Sequence, residues 1–184
     1  MKNFLTFLLF VAILANFSMA TVFAFGKIDT SDNVLAEMRA NPKNFIRYGG
    51  QSIGLTFFLA KNSVNVVKYN PPQYIIAVRK ITHHTGANSE SIEGDEIVRY
   101  SYDYNSRKMY IEFVNRNSGN REWGYIDPKI IGTFEGYKQG WDSYMSAGEI
   151  AFYLAYNMSF FNEPVTNIFK DYVQGKYSPY KRIY

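Results

Sequence analysis

Residues 97–126 of the 184-residue chain read IVRYSYDYNSRKMYIEFVNRNSGNREWGYI, the clearest strand pattern in the sequence. Apolar and polar side chains alternate along residues 96–104 and 108–115, which is typical of strands with one buried face. Residues 105–107 and 117–120 have the polar turn chemistry of hairpin connections. A third arm follows at 122–126. The stretch therefore predicts an antiparallel meander of three strands.

The segments upstream of the meander also predict strands. Residues 53–59, 64–69 and 74–82 are rich in β-branched and aromatic side chains. The prolines at 71–72 mark a strand end or a sheet edge, because neither can donate to a ladder. Residues 47–50 and 83–94 are rich in glycine and polar side chains, and they predict loops.

Apolar residues at helical spacing occur near both ends of the chain. Residues 29–41 predict a short N-terminal helix, and residues 147–161 predict an amphipathic helix that stops before Pro164. Ser146 and Glu149 have the spacing of a capping box at the start of the longer helix, and residues 165–173 could add a short one. These elements predict an α+β fold: an antiparallel β-sheet meander packed against a C-terminal amphipathic helix, with a short N-terminal helix.

The first 24 residues have the composition of a secretory signal peptide. Lys2 supplies the positive charge, an apolar segment follows, and residues 22–24 fit the small-x-small pattern of a cleavage site. Cleavage after Ala20 is the second choice, and an uncleaved membrane anchor is the alternative. We expect cleavage near Ala24, a secreted or periplasmic protein, and no membrane span after signal removal. Residues 25–184 should form a single α+β domain, with 174–184 as a loosely held tail.

The composition excludes several classes of protein. The chain has no cysteine, which rules out disulfide scaffolds, thiolate zinc sites, iron–sulfur clusters and cysteine nucleophiles. The sequence has 20 Lys and Arg residues and 16 Asp and Glu residues, and the basic residues are dispersed along the chain. Nucleic-acid binding is therefore not expected, because it usually requires a concentrated basic surface. The two histidines, His83 and His84, would point to opposite faces of a strand and could share a metal ion only with carboxylates from residues 90–96. We expect no metal site and no cofactor.

A row of tyrosines in the meander is the most unusual feature of the sequence. Tyr100, Tyr102 and Tyr104 share one strand face with Val98, which favours a place in the core between sheet and helix. The alternative is an exposed recognition surface, because tyrosine offers a large rigid contact at low entropic cost. The candidate ligand-binding or partner-binding residues of such a surface are Arg99, Tyr102, Arg107 and Tyr110. Trp123 and Trp141 are expected to be core anchors.

These patterns favour an exported, non-enzymatic module of the cell envelope or surface that binds a protein or a small ligand and could pair as a homodimer. No catalytic residue is assigned. One alternative is a carboxylate-dependent envelope hydrolase, which would place two of Asp103, Glu112 and Glu122 in a pocket and raise the pKa of at least one. Another is a structural or assembly component of the envelope that pairs through the strand edge near residues 70–72.

Three segments resemble the surface-adhesin protein E family of small exported bacterial proteins. They are FFLAKNSVNVV at 57–67, the meander at 97–126, and AGEIAFYLAYNMSFF at 147–161. The resemblance implies an antiparallel sheet packed with helix, binding to host or matrix proteins, and pairing of subunits. It covers residues 52–162 as a similarity of layout, and no functional residue is carried across.

Overall fold

Seven strands form one antiparallel sheet in the computed structural model of the protein, which describes residues 31–51, 54–87, 89–115 and 117–181. The strands are β1 (Phe45–Gly50), β2 (Leu55–Ala60), β3 (Asn65–Asn70), β4 (Gln73–Thr85), β5 (Glu90–Asp103), β6 (Lys108–Val114) and β7 (Arg121–Ile126). Their order across the sheet is β1-β2-β4-β5-β6-β7, and β3 also pairs with β4. The signal peptide expected at 1–24 lies outside the described residues.

Four α-helices accompany the sheet in the described part of the chain. They are α1 (Ser31–Ala40), α2 (Phe134–Gln139), α3 (Trp141–Tyr156) and α4 (Asn167–Val173). Short 3-10 turns occur at Pro42–Asn44, Lys61–Ser63 and Pro128–Ile130. An antiparallel sheet with helices before and after it confirms the predicted α+β fold.

The helix α3 seals one face of the sheet. The buried side chains on this face come from alternate positions of neighbouring strands, as the two-residue period of a strand requires: Ile76, Val78, Val98, Tyr100, Tyr102, Met109 and Ile111. The Tyr102 hydroxyl donates a hydrogen bond to the Gly148 carbonyl of α3 at 2.8 Å. Tyr104 packs against the same cluster. The tyrosine row is therefore core, which confirms the favoured interpretation.

The opposite face is covered at one end only. Val34 and Met38 of α1 pack there against Ile81 and Phe58 in a second, smaller cluster. Arg79 of β4 donates to Glu37 of α1 at 2.6 Å and to Asp95 of β5 at 2.7 Å, which joins the helix to two strands. The burial of Val34, Leu35 and Met38 confirms the predicted N-terminal helix.

The start of α3 differs from the prediction. The helix begins at Trp141 rather than 147, after Gly140 in the left-handed conformation with φ of 74°. The predicted capping box is wrong, because Ser146 and Glu149 both lie inside the helix. The Ser146 hydroxyl donates to the Asp142 carbonyl at 2.8 Å. The S-x-x-E spacing also fits one turn of a helix interior, and the sequence alone does not distinguish the two.

Two segments predicted as loops are strands. Residues 47–50 belong to β1, and β4 and β5 extend through most of 83–94. The polar residues of this long hairpin bind one another across the ladder: His83 Nε2 lies 3.1 Å from Glu90 Oε2. Gly49 is a packing glycine, since an added Cβ would lie 2.6 Å from the Ser143 hydroxyl of α3.

Residues 178–180 pair with β1. This part of the segment 174–184 is therefore not the loosely held tail that the sequence predicts. Pro179 forms a bridge with Ile46 of β1, and the Tyr180 N–H donates to the Phe45 carbonyl at 3.3 Å. The Tyr180 side chain is only 3% exposed, and its hydroxyl donates to Glu90 at 2.8 Å. An extended backbone and one large aromatic anchor hold this segment to the sheet.

The close approach of α3 to the sheet depends on Gly148. An added Cβ there would lie 2.3 Å from the Met109 sulfur and 3.0 Å from the Tyr100 ring. We expect Gly148→Ala to lower the free energy of unfolding by about 1–3 kcal/mol, because the core would be overpacked. Gly94→Ala is the control. Its added Cβ would lie 3.4 Å from the Thr82 side chain, which is an ordinary van der Waals distance. Equal stability of both variants in urea titrations would contradict this packing.

Glu149 makes stability depend on pH. Burial raises the pKa of Glu149 from 4.5 to about 7, and hydrogen bonds from Val165 and Thr166 only partly oppose this effect. The folded state therefore holds a proton that the unfolded chain has released, so this contribution to stability is present below pH 4.5 and is lost as pH rises through about 7. The quantity to follow is the difference in free energy of unfolding between the wild type and Glu149→Gln. We expect this difference to fall by about 2 kcal/mol between pH 4.5 and pH 7. Urea titrations at several pH values measure it, with exposed Glu163→Gln as the control, and a difference that is constant with pH would contradict the assignment.

Candidate functional site

The face of β5, β6 and β7 that points away from α3 is the main exposed feature of the sheet. Directly paired residues of an antiparallel ladder point to the same face. The pairs Tyr110–Tyr125 and Glu112–Trp123 therefore lie together on this side. We call this surface the open face and define it by these residues: Ile97, Arg99, Tyr110, Glu112, Val114, Arg121, Trp123 and Tyr125.

Large apolar side chains of the open face are accessible to solvent. Ile97 is 52% exposed, Val114 is 56% exposed, and Trp123 and Tyr125 are each 42% exposed. The rings of Tyr110 and Tyr125 pack with their centroids 5.5 Å apart, and Tyr110 is half-buried. Several large exposed apolar side chains on one face mark a site of interaction more often than single scattered ones do.

A carboxylate in the middle of the open face pairs with two arginines. Glu112 is only 10% exposed, and its Oε2 lies 2.6 Å from Arg121 Nη1 and 3.5 Å from Arg99 Nη1. An ion pair at the surface contributes little to stability. Its consequence here is positional, because one carboxylate holds both guanidinium groups on the open face, where the arginine side chains stay 38% and 46% exposed.

The structure brings together only two of the four predicted binding residues. Arg99 and Tyr110 lie on the open face. Tyr102 is completely buried under α3, so its assignment to an exposed surface is wrong: alternation places it on the face opposite Arg99. Arg107 lies in the hairpin turn with φ of 53°, its guanidinium 3.7 Å from the centroid of the Tyr104 ring. It also donates to the Phe160 carbonyl, which ties it to the helix side of the sheet.

The expectation that Trp123 is a core anchor is also wrong, while Trp141 does pack against the main core. Alternation along β6 had already separated Tyr110, Glu112 and Val114 from the buried positions. Pairing Trp123 with Glu112 across the strand would have placed it on the same side. The missing information was the extent of α1, which packs over β4 and the first part of β5 and leaves Trp123 42% exposed.

The three carboxylates of the hydrolase alternative are each engaged locally. Backbone hydrogen bonds from Ser106, and then from Asn105, lower the pKa of Asp103, which is the opposite of the raised pKa that the alternative requires. Glu112 is paired with arginines, and Glu122 accepts from Asn115 at 2.7 Å. Glu112 and Glu122 point to opposite faces of the sheet, because they are separated by one position in the ladder.

Glu90 joins three parts of the chain at the other end of the sheet. Burial raises the pKa of Glu90, but hydrogen bonds from Arg39, Tyr180 and His83 outweigh it and lower the pKa below its ordinary value. The carboxylate thus holds α1, β4 and the docked terminal segment together as an ion. No group of three His, Asp or Glu side chains within the described ranges is arranged to hold a metal ion.

No family model, curated protein or solved structure matches this chain. The resemblance to the surface-adhesin protein E family therefore stays a prediction. Within the described residues, no helix has the length and apolar character needed to cross a membrane.

Proposed function

We propose that this protein is an exported, non-enzymatic binding module of the cell envelope or surface, and that it engages a protein partner through the open face. The observation that carries the proposal is the exposure of Trp123 and Tyr125, at 42% each, next to two ion-paired arginines on the part of this sheet face that lies beyond α1. Tryptophan, tyrosine and arginine are the residues that most often dominate the binding energy of protein interfaces.

The geometry suits recognition of a partner without rearrangement. The side chains of the open face project from paired strands, so their backbone positions are fixed before binding. Glu112 holds Arg99 and Arg121 in place, which lowers the entropy that these long side chains would lose in a complex. The apolar surface of Ile97 and Val114 extends the contact beyond the aromatic pair.

The proposal of export rests on the composition of residues 1–24, which have the order of charge, apolar segment and small residues that a signal peptidase requires. A core without cysteine fits this destination, because the buried clusters on both sides of the sheet need no disulfide. The family resemblance, which implies binding to host or matrix proteins, supports the same conclusion.

The geometry favours the binding module over the two alternatives. The candidate hydrolase carboxylates are split between faces and held by neighbours. The edge near residues 70–72 belongs to β3, which a register shift between Val66 and Lys68 interrupts. Bulges and lysine side chains hinder the pairing of further strands at a sheet edge. The assembly function therefore has less support at this edge than the binding function has at the open face.

Paired variants test the proposed surface. We expect Trp123→Ser/Tyr125→Ser to weaken binding to the partner at least about tenfold, because two aromatic contacts would be lost. The full chain and its variants would be immobilised and exposed to envelope proteins of the producing cell and to host matrix proteins, and retained proteins compared quantitatively. Phe134→Ser/Met158→Ser is the control, since both residues are exposed apolar side chains elsewhere.

The expected result is a protein retained by the wild type and by the control variant but lost from the open-face variant. Urea titrations of all three establish that the folds are equally stable. Equal retention by both variants would contradict the assignment of the open face as the binding surface.

A further inference from the structure

A groove runs along the outer side of β1, at the opposite edge of the sheet from β7. It consists of two adjoining depressions of about 280 and 520 Å³, which share Gly49, Gly50 and Ile168 in their walls. The smaller one lies toward the docked terminal segment at 176–178, and the larger one lies toward α2 and the start of α3. We call the two together the β1 groove.

The groove exposes the end of β1, whose outer edge beyond Arg47 is not paired by any described residue. The terminal segment pairs with the first half of β1 only: the Arg47 N–H donates to the Ser178 carbonyl at 3.3 Å, and the bridge at Ile46 lies before it. The Gln51 N–H donates to Leu55 at 2.8 Å and thus points toward β2. Backbone groups alternate in direction along a strand, so those of Gly50 point away from β2 into the groove.

The glycine pair keeps this edge accessible to another backbone. Gly50 is exposed and carries no side chain that would shield its peptide groups. Glycine within a strand often marks a site where a ligand or a second backbone approaches closely. The same edge already accepts an extended segment, Ser178–Tyr180, at residues 45–47. A register shift between Arg47 and Gly49 separates that pairing from Gly50, so a second segment would pair after the shift.

The charges around the groove are predominantly positive. Its walls contain four basic residues, Arg47, Lys80, Lys138 and Lys176, and two acidic residues, Asp142 and Asp171. Lys80 is paired with Glu96 at 2.6 Å. Within the described chain, Arg47, Lys138 and Lys176 make no ion pair. Asp142 accepts a hydrogen bond from the Gly132 N–H at 2.9 Å, which fixes its position and leaves its negative charge in place.

Aromatic rings complete the walls. Tyr137 and Tyr144 stand on the side of α2 and α3, and Tyr177 stands on the side of the terminal segment. Tyr137 is 66% exposed. These rings offer flat surfaces for the apolar parts of a ligand, and the three cations offer partners for its carboxylates.

We propose that the β1 groove binds an extended acidic peptide segment, which adds a strand to β1 beyond the point where the terminal segment leaves it. Peptide groups of the ligand pair with Gly50, as in other cases of strand addition to a sheet edge. Acidic side chains of the ligand contact Arg47, Lys138 and Lys176. This site lies at the other edge of the sheet from the open face, so it stands or falls independently of the proposed function.

A fluorescent ten-residue peptide of alternating Glu and Val, blocked at both termini, is the probe. Its affinity for the full chain would be measured by anisotropy at fixed salt concentration. We expect Arg47→Gln/Lys138→Gln/Lys176→Gln to weaken binding at least about tenfold, because all three cations facing the ligand are removed. The control is Lys108→Gln/Lys129→Gln/Lys170→Gln, which removes the same net charge at exposed positions outside the groove and should change the affinity less than about twofold.

A second peptide separates strand addition from charge alone. N-methylation of the two central residues, one Glu and one Val, removes a backbone donor from each edge of the extended peptide but keeps every carboxylate, and we expect it to abolish measurable binding. Equal weakening by the groove and control variants would overturn the site. Undiminished binding of the methylated peptide, or absence of binding by the wild type, would overturn strand addition. Urea titrations confirm that the variants are folded.

Discussion

The contact between α3 and the sheet at Gly148 is the constraint on which the rest of the structure depends. Because Gly148 has no side chain, the helix backbone can lie against the Met109 side chain. The Gly148 carbonyl then accepts a hydrogen bond from the Tyr102 hydroxyl at 2.8 Å. This proximity seals one face of β4, β5 and β6 with the tyrosine row inside. The next residue, Glu149, then lies in the interior, where its carboxylate accepts from Val165 at 2.7 Å and from Thr166. One close approach therefore sets both the packing of the sheet and the position of α4.

The two faces of the sheet are covered to different extents by the described helices. α3 is 16 residues long and spans the sheet, whereas α1 has 10 residues and packs over β4 and the first part of β5. Strand alternation continues beyond α1, and the large side chains of the open face are exposed there. Glu112 pairs with the two arginines of this surface. At the other edge of the sheet, the described terminal segment pairs with β1 only as far as Arg47.

Local patterns in the sequence predicted the meander, the α+β class, and the burial of Tyr100 and Tyr102, because alternation and helical spacing are properties of neighbouring residues. They failed where long-range contacts decide. A large aromatic residue such as Trp123 is expected in a core. Only the extent of α1 shows that Trp123 lies on a part of the sheet that this helix does not cover. Residues 83–94 have the composition of a loop, and their strand structure depends on contacts of Glu90 with His83 across the hairpin and with Arg39 and Tyr180 from distant segments. Alternation along the strands correctly predicted two of the four candidate binding residues, Arg99 and Tyr110. Recognising Trp123 and Tyr125 as exposed members of the same surface required the positions of the helices.

The absence of cysteine from the sequence allows a direct measurement of whether the open face is free in isolation and covered in the cell. Single variants Val114→Cys and Met158→Cys would be labelled with a thiol reagent, first as purified protein and then in the cells that produce it. We expect both to react readily when purified, since both parent side chains are more than 40% exposed. In the cell, Val114→Cys should react about tenfold more slowly while Met158→Cys is unchanged, because a bound partner that keeps its contacts with Trp123 and Tyr125 excludes solvent from the open face. Equal reactivity of the two positions in the cell would contradict the assignment of the open face as a binding surface.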